Sequence, residues 1–108
     1  VITNITDMDD VERVRLASGK SYLEFLRVAS MSAGVYALAA GDEDTQSPHL
    51  EDELYYVIRG KARFRAAEDD RAVAAGSLIF VAAKVQHRFY DITEDLQVLV
   101  FFAPAETL

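Results

Sequence analysis

From Ser21 onward the apolar residues recur with a period of two, and no interval carries the longer period of a substantial helix. In "SYLEFLRV", Tyr22, Glu24, Leu26 and Val28 fall on one side and Leu23, Phe25 and Arg27 on the other. "GVYALAAG", "LYYVIRG", "KARFRAA", "RAV", "SLIFV", "QHRFYDI" and "LQVLVFFA" follow in turn. Each is short, rich in Val, Ile, Tyr or Phe, and set off by Gly, Asp, Glu or Thr. Successive side chains of a strand point to opposite faces, so such pieces bury themselves by stacking sheet on sheet or closing into a barrel. A chain of 108 residues supplies one domain and one core. The expectation is an all-β sandwich or small barrel, with turns at Glu68 to Asp70, at Gly76 and at Thr93 to Asp95.

Residues 1–20 form a separate N-terminal arm on this reading, residues 21–104 the barrel and residues 105–108 a tail. Within the arm, "DDVERVRLASG" fits one short helix capped by Asp9 or Asp10, with Val11, Val14 and Leu16 loosely on one side, or else an irregular segment. "LQVLVFFA" is apolar on both faces: Leu96, Val98, Val100 and Phe102 on one, Leu99, Phe101 and Ala103 on the other. "LYYVI" behaves the same way. An outer strand of a two-layer protein has one wet face, so something must cover the second, either the arm or another copy of the chain. A homodimer is the favoured arrangement.

Charge narrows the partners. The formal charge is −7, from 18 acidic and 11 basic residues, and such a surface repels nucleic acid and anionic membranes. The absence of cysteine removes disulfides, thiolate chemistry and zinc fingers, and fits a cytoplasmic location. "VITNITDMDD" shows no export signal, and the longest apolar run, "LVFFA", is too short to span a bilayer. The glycines are isolated at turns, and no serine stands in a nucleophile-elbow context.

The two histidines, His49 and His87, remain. His49 precedes Glu53 by four residues, but Pro48 and the β-rich "LYYVIRG" leave no room for a helix to carry both. Strand parity puts Glu53 on the side of Tyr55 and Val57, at the rim of the core, where a metal or a basic partner would relieve its burial. His87, Phe89 and Asp91 likewise share one face.

"GDEDTQSPHLEDELYYVIRG" and "GSLIFVAAKVQHRFYD" resemble the two motifs of the cupin superfamily, in particular its small single-domain members. Gly41, His49, Glu53 and Gly60 match the first motif, Gly76 and His87 the second. Ser47 stands where the first histidine of the family usually is, Ala82 and Lys84 replace the turn proline and glycine, and Asp91 the terminal asparagine. The resemblance implies a double-stranded β-helix, or jelly roll, and brings His49, Glu53 and His87 together as ligands of one divalent transition metal per chain. Fe(II) is favoured for such a set, with Mn, Ni, Co or Zn as alternatives. At Ser47 the corner would hold water or substrate. The expected pocket is lined by Tyr36, Tyr55, Phe80, Phe89, Asp91 and Phe102, with Ser47 and Gln46 at its edge. Asp44 and Gln46 read as solvated loop residues and Glu51 and Asp52 as a solvent-facing acidic loop, while Arg63 and Arg65 are expected in solvent or paired with acidic loops. The implied activity is that of a metal-dependent enzyme of the oxygenase, isomerase or lyase type acting on a small organic molecule. The alternatives are a non-catalytic small-molecule binding module and a structural protein without metal.

Overall fold

The computed structural model describes residues 4–107. One helix, α1 (Met8–Ser18), precedes six strands: β1 (Tyr22–Val28), β2 (Met31–Leu38), β3 (Asp52–Ala66), β4 (Asp69–Ala74), β5 (Leu78–Val81) and β6 (His87–Ala103). All pairings are antiparallel, in the order β1-β2-β6-β3-β4, with β5 also on β3.

The two long strands determine the shape. β3 and β6 pair from Asp52↔Ala103 at one end to Ala66↔His87 at the other, and the register slips three times between Val57 and Arg63. Gly60 lies in that stretch with φ +103, where a Cβ would collide with the carbonyl oxygen of Asp95. Only a glycine lets the two backbones approach this closely in that conformation. Such bulges bend a ribbon without ending it. The ribbon therefore curls into two layers. In one, β5 and the first half of β3 adjoin the second half of β6, then β2 and β1. In the other, the second half of β3 lies between β4 and the first half of β6. Leu38, Tyr55, Val57, Leu96, Val98, Val100 and Phe102 of the first layer pack against Ala62, Phe64, Phe89 and Ile92 of the second. This is the all-β jelly-roll architecture expected from the sequence.

Three local expectations are corrected. Thr93 to Asp95 are not a turn but part of β6, at the bend, where polar residues face outward much as they do in a loop. The β3–β4 turn is narrower than Glu68 to Asp70, because Asp69 already pairs with Ala66. The helix begins at Met8 with Asp7 as its N-cap, not Asp9 or Asp10. Val11 is its one buried residue, whereas Val14 and Leu16 are exposed. Their place on the packed face goes to Glu12 and Arg15, a half-buried pair at 2.6 Å that holds the Glu12 carboxyl below its ordinary range.

The second apolar face is covered in part. α1 packs on β1 and β2, and there Ala33 and Val35 are buried. Further along the same face Leu54, Tyr56, Leu78 and Phe80 are exposed, the last at 65%. Phe80 pairs with Leu54 on this outer side, so it is no pocket residue.

Candidate metal centre

Because the ribbon curls, its opposite ends meet. Glu53, the second residue of β3, and His87, the first of β6, both point inward, with His87 Nε2 and Glu53 Oε1 3.0 Å apart. His49 comes from the loop before β3. Its backbone carbonyl accepts the Lys84 N–H at 2.6 Å, and its ring packs edge-on against Phe102 with centroids 4.8 Å apart. His49 Nε2 is 4.0 Å from Glu53 Oε2. One ligand atom from each of the three residues falls within 4.8 Å of the others.

Both imidazoles are held from behind. His87 Nδ1 lies 2.8 Å from the Val85 carbonyl, an acceptor, so Nδ1 carries the proton and donates it. His49 Nδ1 faces Glu106 Oε2 at 3.2 Å in the same way. Each ring thus turns its Nε2 lone pair toward the other members of the cluster. A carboxylate or carbonyl on the far nitrogen is the usual support of a metal-binding histidine.

The fit to a cation rests on what the cluster lacks. Glu53 is 2% exposed and its Oε1 has no hydrogen-bond partner among the described residues. A buried carboxylate facing nitrogen lone pairs is costly unless positive charge lies between them. At His87, burial disfavours the charged ring, but the Glu53 carboxylate 3.0 Å away and the hydrogen bond to the Val85 carbonyl outweigh it and raise the pKa above its ordinary value. The cluster attracts a proton for the same reason it would attract a metal. Two imidazole nitrogens and one carboxylate oxygen suit a divalent transition ion.

The cluster opens onto a cavity of about 210 Å³ lined by Tyr22, Tyr36, Gln46, Tyr55, Phe102 and Glu106, among others. Larger depressions elsewhere, such as one of about 440 Å³ against β3, β4 and β5, contain no such cluster among the described residues. Burial pushes the Tyr22 and Tyr36 phenols up, with nearby carboxylates adding to it. Tyr36 donates to Asp44 at 2.8 Å, while the buried Tyr22 hydroxyl has no partner among the described residues. No lysine or arginine lines the cavity among the described residues.

Tyr36, Gln46, Tyr55 and Phe102 of the expected pocket do line it. Ser47 is exposed and does not. Phe89 is fully buried, stacked edge-on between Tyr55 and Phe64, and belongs to the core. Asp91 is exposed at φ +47 in the bent part of β6, where the irregular ladder breaks the parity that would have turned it inward. Asp44 and Glu51 are buried, not solvated: Glu51 accepts the Thr107 hydroxyl at 2.6 Å, and only Asp52 stays exposed, accepting the Ala83 N–H. Arg63 and Arg65 pair with Asp70.

Sequence reasoning missed Glu106 altogether. The segment after β6 folds back over the cavity, with the Glu106 N–H on Ser32 Oγ at 2.9 Å and Arg27 donating to the Glu106 carbonyl at 2.7 Å. Burial raises the Glu106 carboxyl above its ordinary value, with His49 opposing. No local pattern in "PAETL" signals this; the contacts that create it come from residues far away in sequence.

The family model described as "Cupin domain" matches residues 34–102. A protein of Streptomyces coelicolor, described as "Uncharacterized protein SCO3923", is 46% identical over 100 residues, covering 93% of this chain and 95% of that one. Among solved structures, TT1209 from Thermus thermophilus superposes with a TM-score of 0.74 at 21% identity, covering 95% of this chain and 99% of its own. The DMSP lyase DddQ from Ruegeria pomeroyi superposes at 0.66 with 22% identity over 70% of this chain, and this chain spans 39% of that enzyme. KdgF from Halomonas gives 0.70 at 18% identity, covering 77% and 78% of the two chains. At these identities the structures share the fold. Among the described residues no helix is long and apolar enough to cross a membrane.

Proposed function

This chain belongs to the cupin family, and we propose that it is a metal-binding member that acts on a small organic molecule at the centre formed by His49, Glu53 and His87. The observation that carries the reading is the convergence of two Nε2 atoms, each with its Nδ1 tied off, on a buried carboxylate beside a cavity. A centre of this kind supplies a Lewis acid or, with iron, a site for oxygen chemistry. Three protein ligands from these residues leave room for a substrate oxygen.

The rest of the site supports the same assignment. About 210 Å³ is small for a ligand pocket, which limits the substrate to a few heavy atoms beyond those on the metal. Phe102, Val100 and the tyrosine rings give the apolar wall, and the unpartnered Tyr22 hydroxyl offers a hydrogen bond to orient what binds. With no cation in the wall, recognition of an anion falls to the metal alone. The solved DMSP lyase with this fold is consistent with a lyase-type reaction, and Fe(II) remains the favoured ion, which would extend the chemistry to oxygenation. The exposed apolar face of Leu54, Tyr56, Leu78 and Phe80 supports a homodimer.

Elemental analysis of the purified protein, followed by titration of metal-free protein with Fe(II), Mn(II), Ni(II) and Zn(II), tests the centre. The expected result is one ion per chain, with uptake largely lost in His49→Ala and in His87→Ala. Wild-type binding no tighter than that of the double variant would overturn the assignment.

A further inference from the structure

We propose that Gln46, and not Ser47, supplies a fourth protein ligand to this centre through its side-chain carbonyl oxygen. The inference rests on the three-residue reading above and adds to it a residue outside the matched motif positions.

Position is the first argument. Gln46 Oε1 lies 3.3 Å from His49 Nε2, on the side of the ring turned toward the cluster. It also accepts from Tyr55 Oη at 3.1 Å, and that hydroxyl is itself 3.1 Å from His87 Nε2. The amide oxygen therefore stands beside the inner nitrogen of one histidine and one hydroxyl away from that of the other. Ser47, one residue on, is exposed.

Orientation is the second. A neighbouring carboxylate decides which end of the amide faces the cluster. The Gln46 amide nitrogen donates to Asp44 Oδ2 at 2.7 Å, and a flipped amide would set oxygen against oxygen there. Asp44 is 8% exposed and is held in turn by Tyr36 Oη at 2.8 Å and the Phe89 N–H at 2.9 Å. Anchored to β2 and β6, Asp44 fixes the amide with its carbonyl facing the cluster. A ligand atom oriented by an outer carboxylate is how metal sites are ordinarily built.

The chemistry has a consequence. A carbonyl oxygen is neutral, as an imidazole is, so the net charge of the centre is the same with either. It is a harder donor, and this shifts preference away from Zn(II) and Ni(II) toward Mn(II) and Fe(II). The substitution of a histidine-position ligand by a neighbouring amide thus acts on which metal is held.

The test uses Gln46→Ala, Gln46→Met and Ser47→Ala in the full chain, titrated with Mn(II) and Zn(II) against a competing chelator. X-ray absorption of the Mn-loaded protein counts the oxygen atoms bound to the ion, which should fall by one in Gln46→Met. Methionine keeps the bulk of glutamine without the amide, and metal-free melting temperatures identify a variant that fails to fold. Both Gln46 variants should lose roughly tenfold or more in Mn(II) affinity, with a smaller loss for Zn(II), while Ser47→Ala matches the wild type. Gln46→His should reverse the metal preference. Wild-type affinity in Gln46→Met, or a loss confined to Ser47→Ala, would overturn the inference. If His49→Ala and His87→Ala abolish uptake and Gln46→Met does not, the three-residue centre stands and only the fourth ligand fails. If none of the variants differs from wild type, both fail.

Discussion

Glu106 offers the sharpest test of how the centre is supported, since it acts only through His49. Its Oε2 lies 3.2 Å from His49 Nδ1, and its backbone is anchored independently through Ser32 and Arg27. A side-chain substitution therefore leaves the strap in place. Glu106→Gln keeps an acceptor for the imidazole N–H but removes the charge, and Glu106→Ala removes the acceptor as well. Hydrogen bonds with one charged partner are about twice as strong as neutral ones, so the two variants should form a series. Outer supports of metal-bound histidines contribute about 10- to 100-fold in metal affinity, or about 1.4 to 2.7 kcal/mol. We expect Glu106→Gln at the lower end and Glu106→Ala at the upper. Competitive titration with a fluorescent chelator measures both, at a pH where the wild type saturates. Metal-free melting temperatures should change little, because among the described residues the Glu106 carboxyl pairs with His49 alone. If both variants bind within about threefold of wild type, the carboxylate does not set the His49 ring and the argument from its tautomer is wrong.

Two further outcomes follow from other parts of the molecule. Metal affinity should climb with pH through 6.5 and keep climbing above it, because the raised pKa of His87 means a proton competes for Nε2 beyond the ordinary imidazole range. Titrations at pH 6, 7 and 8 giving one affinity would contradict this. Sedimentation at micromolar concentration should give twice the 12.0 kDa chain mass, and Leu54→Asp with Phe80→Asp, both on the exposed apolar face, should return it to one chain. A wild-type mass of a single chain throughout that range refutes the dimer.

What the sequence made legible follows its regular stretches. Glu53, Tyr55 and Val57 are buried and Leu54 and Tyr56 between them exposed, as strict alternation requires. The same rule turns His87 and Phe89 inward and fails two residues later at Asp91, where positive φ and the shifted ladder interrupt the period. Thr93 to Asp95 mislead for a related reason: a bend in a continuous ribbon exposes polar residues just as a turn does. The loop before β3 has no period at all, so nothing in "DTQSPH" separates an inward Gln46 from an outward Ser47. Asp44 and Glu51 look like members of an acidic loop until their donors, on Tyr36, Phe89 and Thr107, are brought to them by the fold. Glu106 depends on Ser32 and Arg27, more than seventy residues away.

The curl of the β3–β6 ribbon gives the centre a mechanical meaning. Glu53 and His87 terminate opposite ends of that ribbon, so an ion bound to both is a cross-link between the two layers in a chain that has no cysteine to make one. It would close a loop of roughly 35 residues, and the chain-entropy argument used for disulfides assigns such a closure roughly 4 kcal/mol against the unfolded state. Unlike a disulfide, this tie is indifferent to thiol reductants and opens to chelators. Metal supply would then tighten or loosen the layers of the barrel on top of the core that already packs them together.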